Sequence, residues 1–120
     1  MQVTVYHNPR CSKSRATLKL LAERGLEPTI VDYLRTPPNS ATLEKLAEAL
    51  DRPARDLVRT GQAEWARTGL DIDAADDAEL FDAIAAEPIL LQRPIVVVDD
   101  GALTRARIGR PPEDVEAILP

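Results

Sequence analysis

Residues 2–33 read QVTVYHNPRCSKSRATLKLLAERGLEPTIVDY, and this stretch decides the fold. Gln2-Val3-Thr4-Val5-Tyr6 alternates and is rich in β-branched residues, the pattern of a short strand. His7 to Cys11 reads as a loop, because Asn8-Pro9 favours a turn. Ser12-Lys13-Ser14-Arg15 then opens a helix with Leu18, Leu21 and Ala22 at i, i+3 and i+4 on one face. Gly25 is its stop signal, and Pro28 leads into a second strand, Thr29–Tyr33. Strand, helix and strand within about 30 residues form a βαβ unit, which predicts parallel strands joined by a right-handed crossover.

Working outward, Pro37-Pro38 breaks the pattern and a helical block follows. Asn39 or Ser40 caps a helix whose stripe is Leu43, Leu46, Ala47 and Leu50. Pro53 suits the first turn of a short helix ending near Arg59. Asp76 with Glu79 forms a capping pair for a helix through Ala85, with Leu80, Phe81 and Ile84 facing inward and Pro88 closing it. Arg93-Pro94 leads into Ile95-Val96-Val97-Val98, a continuous apolar run expected as a buried strand. Asp99-Asp100-Gly101 is a hairpin turn, Ala102–Ala106 the returning strand, and Pro111-Pro112 the start of a last helix with Val115, Ile118 and Leu119 inward. The order is β-α-β, helices, β-β-α: one α/β domain spanning residues 1–120, with a helical insertion over about residues 39–91.

Composition narrows the function classes. At 120 residues and 44% hydrophobic, the chain has enough apolar material for one core, which rules out a disordered acidic tail. Aromatic residues are only 3%, so Leu, Ile, Val and Ala must fill that core. The net charge of −5 argues against general nucleic-acid binding, while leaving room for a local cationic pocket. Met1–Val5 has neither a basic nor an apolar leader segment, and no 18-residue apolar run exists. The expected setting is therefore cytoplasmic, with no membrane partner. One cysteine and one histidine build neither an intrachain disulfide nor a Cys/His zinc site, so no metal is expected. No glycine-rich phosphate loop is present, and no bound cofactor is expected.

The chemistry concentrates on Cys11, at the junction of a loop and a helix N-terminus. Unpaired N–H groups there favour a thiolate, and Arg10, Lys13 and Arg15 add positive charge. A free cysteine is otherwise most often a small buried hydrophobe. His7, four residues earlier, is placed to hydrogen-bond the thiolate or bias its protonation, or else to pack as a loop histidine. Ser14 stands three after Cys11, where a dithiol motif has its second cysteine; its hydroxyl can donate to the sulfur but cannot close a disulfide. A disulfide needs two sulfurs, so any redox cycle must draw the second thiol from another molecule. Arg59, Arg93 and Arg110 sit at predicted element ends, two of them beside prolines, and a guanidinium fork suits a tetrahedral oxyanion.

The runs His7–Arg15, Tyr33-Leu34 with Thr36-Pro37-Pro38, Arg93–Val97 and Arg107–Pro112 together resemble the glutaredoxin-linked, glutathione-dependent arsenate reductase family, in particular a short subgroup of it. The resemblance spans essentially the whole chain. It implies a thioredoxin-like fold with a helical insertion between the N-terminal βαβ and C-terminal ββα units, and a cis peptide at Arg93-Pro94. It further implies that Cys11 attacks arsenate, that His7 and Ser14 tune its thiolate, and that Arg59, Arg93 and Arg110 hold the oxyanion. Glutathione would be co-substrate and glutaredoxin the protein partner. Ser12-Lys13 departs from the Gly-Thr usual in the best-studied branch. Two other readings use the same residues. A glutathione-dependent thiol reductase of other substrates would keep Cys11 and Ser14 without an arginine triad. An RNA-polymerase-binding regulator of the same fold would normally use a Cys-x-x-Cys switch, which Ser14 removes.

Overall fold

Strand β1 (Gln2–His7) lies at the centre of a four-stranded sheet of order β2-β1-β3-β4. It runs parallel to β2 (Thr29–Asp32) and antiparallel to β3 (Ile95–Asp99), which pairs in turn with β4 (Thr104–Ile108). The parallel β1–β2 pair fits the crossover expected of a βαβ unit. The connecting helix α1 spans Ser12–Glu23 and ends where Gly25 takes φ +73°, a left-handed conformation that favours glycine. The computed structural model describes residues 1–120.

The chain forms two compact units, Met1–Thr36 with Arg93–Pro120, and Pro37–Gln92. In the first, Val3 and Val5 of β1 share a sheet face with Val96 and Val98 of β3. Leu21 of α1 and Val115 and Ile118 of a 3-10 segment, Pro112–Ile118, complete that aliphatic core. Burying a valine or leucine side chain here contributes roughly 1.5–3 kcal/mol. The expected α1 stripe is corrected. Leu21 is buried and Leu18 half-buried, but Ala22 is exposed, and the polar Ser14 and Thr17 take the remaining buried positions. The last segment begins on prolines as expected but winds as a 3-10 helix.

The second unit holds α2 (Ser40–Leu50), α3 (Ala63–Arg67) and α4 (Asp77–Ala86), with 3-10 turns at Ala54–Leu57 and Pro88–Leu90. Asn39 Oδ1 accepts the Thr42 N–H at 2.9 Å, so Asn39 is the cap. Asp76 and Glu79 satisfy each other's backbone N–H groups in a capping box. The helix after Pro53 stops at Leu57, short of Arg59. Val58 bridges Leu91, the Arg59 N–H donates to Leu90 O at 2.7 Å, and the Gln92 N–H donates to Leu57 O. Helix α3 has no buried residue and no counterpart in the sequence reading. The returning strand is also shifted, from Ala102–Ala106 to Thr104–Ile108. The Asp100 carboxylate accepts the N–H groups of Ala102 and Leu103, which keeps both in the turn. No helix is long and apolar enough to cross a membrane.

Candidate active site

Cys11 is the N-cap of α1, in extended backbone at φ −89° and ψ 122°. Its N–H donates to Asn8 O at 3.0 Å, and its carbonyl accepts the Arg15 N–H at 3.0 Å, so the residue is fixed on both sides. The sulfur closes no short capping bond and stays partly exposed. Burial alone would raise its pKa. Four influences overcome it: the N–H groups of Ser14 and Lys13, the Ser14 hydroxyl, and the Arg93 guanidinium. Together they hold the thiol down at about 7, so roughly half of Cys11 is thiolate at neutral pH.

Asn8 organises the loop, a role the sequence reading missed because Asn8-Pro9 reads only as a turn. It is buried. Its N–H donates to Ser14 Oγ at 3.3 Å, its Oδ1 accepts the Arg10 N–H at 3.0 Å, and its Nδ2 reaches the Tyr33 hydroxyl at 3.5 Å. Tyr33 and Ser14 are fully buried, which gives this polar network little freedom. Arg15 Nη1 donates to Pro9 O at 2.9 Å and braces the outer side of the loop. Arg10 and Lys13 are exposed.

The arginines come from the far end of the chain. Arg110 Nη1 lies 3.9 Å from Cys11 Sγ, and the same nitrogen donates to Arg93 O at 3.1 Å. Arg93 is itself buried, and its charge acts on the thiolate. Both arginines precede cis prolines, Pro94 and Pro111; only the first was expected. Two guanidinium groups therefore serve one sulfur. Arg59 belongs to the second unit, Pro37–Gln92, just beyond the Ala54–Leu57 turn.

His7, at the end of β1, is buried, and its Nδ1 has no hydrogen-bond partner. Burial lowers its pKa, the carboxylate of its register partner Asp32 opposes that, and Arg15 adds to it. The ring is therefore neutral at pH 7, and it adds no positive charge to the thiolate. No three His, Cys, Asp or Glu side chains cluster as a metal site requires.

A thioredoxin-like α/β sheet with a lone activated thiol at the N-cap of its crossover helix defines the class. Residues 6–118 match the ArsC family, and the chain belongs to it. It is 42% identical to an arsenate reductase of Rhizobium meliloti over all of this chain and 83% of that one. It is 45% identical to a protein of Escherichia coli K12 named YfgD, over 98% and 97% of the two chains. An arsenate reductase structure from Vibrio cholerae superposes with a TM-score of 0.91 at 41% identity, covering 99% of this chain and 98% of that one.

Proposed function

We propose that this protein reduces arsenate to arsenite, with Cys11 as nucleophile and glutathione and glutaredoxin as thiol donors. The observation that carries the reading is the approach of Arg110 to the Cys11 sulfur at 3.9 Å, over a helix N-terminus and beside Arg93. A thiolate flanked by two guanidinium groups both attracts a tetrahedral oxyanion and is ionised to attack it.

In the first step the thiolate forms an S–As bond to arsenic(V), one As–O bond breaks, and that oxygen leaves as water. The N–H groups of Lys13 and Ser14 and the two guanidinium groups stabilise charge on the remaining oxygens. Glutathione then replaces a second oxygen on the Cys11-bound arsenic, again releasing water. A glutaredoxin thiolate attacks the glutathione sulfur. A disulfide forms between them, and the As–S pair stays on arsenic, which becomes arsenic(III). Water hydrolyses the remaining S–As bond, releasing arsenite and the Cys11 thiolate. Two external thiols become one disulfide, which is the electron balance a chain with one cysteine requires. In this reading Ser14 holds the thiolate, His7 lines the loop as a neutral ring, and Arg93 and Arg110 hold the oxyanion.

The test is a coupled assay that follows NADPH consumption through glutathione reductase, with arsenate, glutathione and glutaredoxin. Arsenite formation that needs all three supports the reading. No arsenite, together with release of glutathione from a glutathionylated protein, supports a thiol reductase of other substrates instead.

A further inference from the structure

Gly109 sits where three segments meet. A methyl group built on its Cα would lie 2.6 Å from Thr17 Oγ1 and 2.8 Å from Pro94 Cγ, both closer than real contacts allow. Neither neighbour yields easily. Thr17 is fully buried in the middle of α1, where a branched side chain has only two χ1 choices and no free space to swing into, and Pro94 is a ring within a buried segment. On the other side the Gly109 N–H donates to Pro94 O at 2.9 Å. The next residue is Arg110, whose guanidinium bonds Arg93 O and approaches Cys11. Helix α1 thus touches Gly109 through Thr17 and presents Cys11 six residues earlier, while the Gly109 backbone carries Arg110 back to that sulfur.

We propose that Gly109 is a positioning residue: the absence of a side chain there sets how closely the Arg110 guanidinium approaches Cys11. The need is for space, since nothing at this position calls for a left-handed backbone. Thr17 Oγ1 is buried with no hydrogen-bond partner, consistent with a contact kept for shape. The inference rests on the proposed reaction for its catalytic meaning, but the geometry is testable without it.

The experiment measures the pH dependence of Cys11 reacting with a small aromatic disulfide, and the arsenate KM and kcat, in the full chain. Gly109→Ala is expected to raise the midpoint of the thiol profile by about half a pH unit, as one cation retreats from the sulfur. Arsenate KM is expected to rise about tenfold, with a smaller change in kcat. Gly61→Ala, at a glycine whose added methyl meets nothing within 4 Å, should match the unmodified chain. A folded Gly109→Ala with an unmoved midpoint overturns the inference, whatever its melting temperature. Should that variant fail to fold, Thr17→Val decides. It keeps the β-branched shape but puts a bulkier methyl against Gly109. A smaller rise in the same direction supports the inference, and an unmoved midpoint overturns it. If no variant and no unmodified chain reduces arsenate, the proposed function fails, while the thiol profiles still decide the role of Gly109.

Discussion

Replacing Ser14 by alanine removes one hydroxyl from a fully buried position, with two separable consequences. The Asn8 N–H loses its acceptor at 3.3 Å, which costs about 1 kcal/mol of stability. The Cys11 thiolate loses one of the groups that lower its pKa. A hydrogen bond to a charged group is worth roughly 1.5–3 kcal/mol, and sulfur is a weak acceptor, so the lower end applies. At about 1.4 kcal/mol per pH unit, the thiol moves from about 7 to about 8. The sign follows: a raised pKa leaves less thiolate at neutral pH, from about half to about a tenth at pH 7.

Rate does not follow thiolate fraction alone, because a more basic thiolate is the better nucleophile. With a Brønsted coefficient near 0.4–0.5, the Ser14→Ala thiolate reacts about threefold faster once formed. The variant is therefore about threefold slower than the unmodified chain at pH 6, equal to it near pH 7.5, and about threefold faster above pH 9. The assay is stopped-flow exchange with an aromatic disulfide across that range. Crossing profiles are the signature of lost thiolate stabilisation. A variant slower by the same factor at every pH would refute the reasoning, since that pattern means a blocked or displaced sulfur.

Cys11→Ser should abolish arsenite formation, measured by arsenic speciation, because no other sulfur in the chain can replace the nucleophile. Arg93→Lys keeps the charge but loses the planar fork, and kcat/KM for arsenate should fall at least tenfold in the coupled assay. Asp76→Ala removes half of the capping box of α4 and should lower unfolding stability by about 1 kcal/mol in a urea titration, leaving the Cys11 profile unchanged.

Elements with local signals were legible in the sequence. The Asp76–Glu79 pair announces α4, and the apolar run at Ile95–Val98 announces a buried strand, because each pattern carries its own physics at short range. Helix α3 was not legible, since a five-residue helix with no buried side chain leaves no periodic stripe. The inner face of α1 misled for the opposite reason. Ser14 and Thr17 are polar by type, and their burial comes from Asn8 and Gly109, segments that only the folded chain brings against them. Cys11 was legible as an N-terminal thiol. The approach of Arg110 was not derivable from spacing, because 99 residues separate it from Cys11. The register of the sheet and the Gly109 junction make that contact.

The most direct measurement is a comparison of arsenite yield with and without added thiol, for the unmodified chain and Cys11→Ser. Multiple turnovers with glutathione and glutaredoxin, none sustained without them, and none from Cys11→Ser are the predicted result. Sustained arsenite formation by Cys11→Ser, or by the unmodified chain with no thiol supplied, would contradict the one-sulfur account.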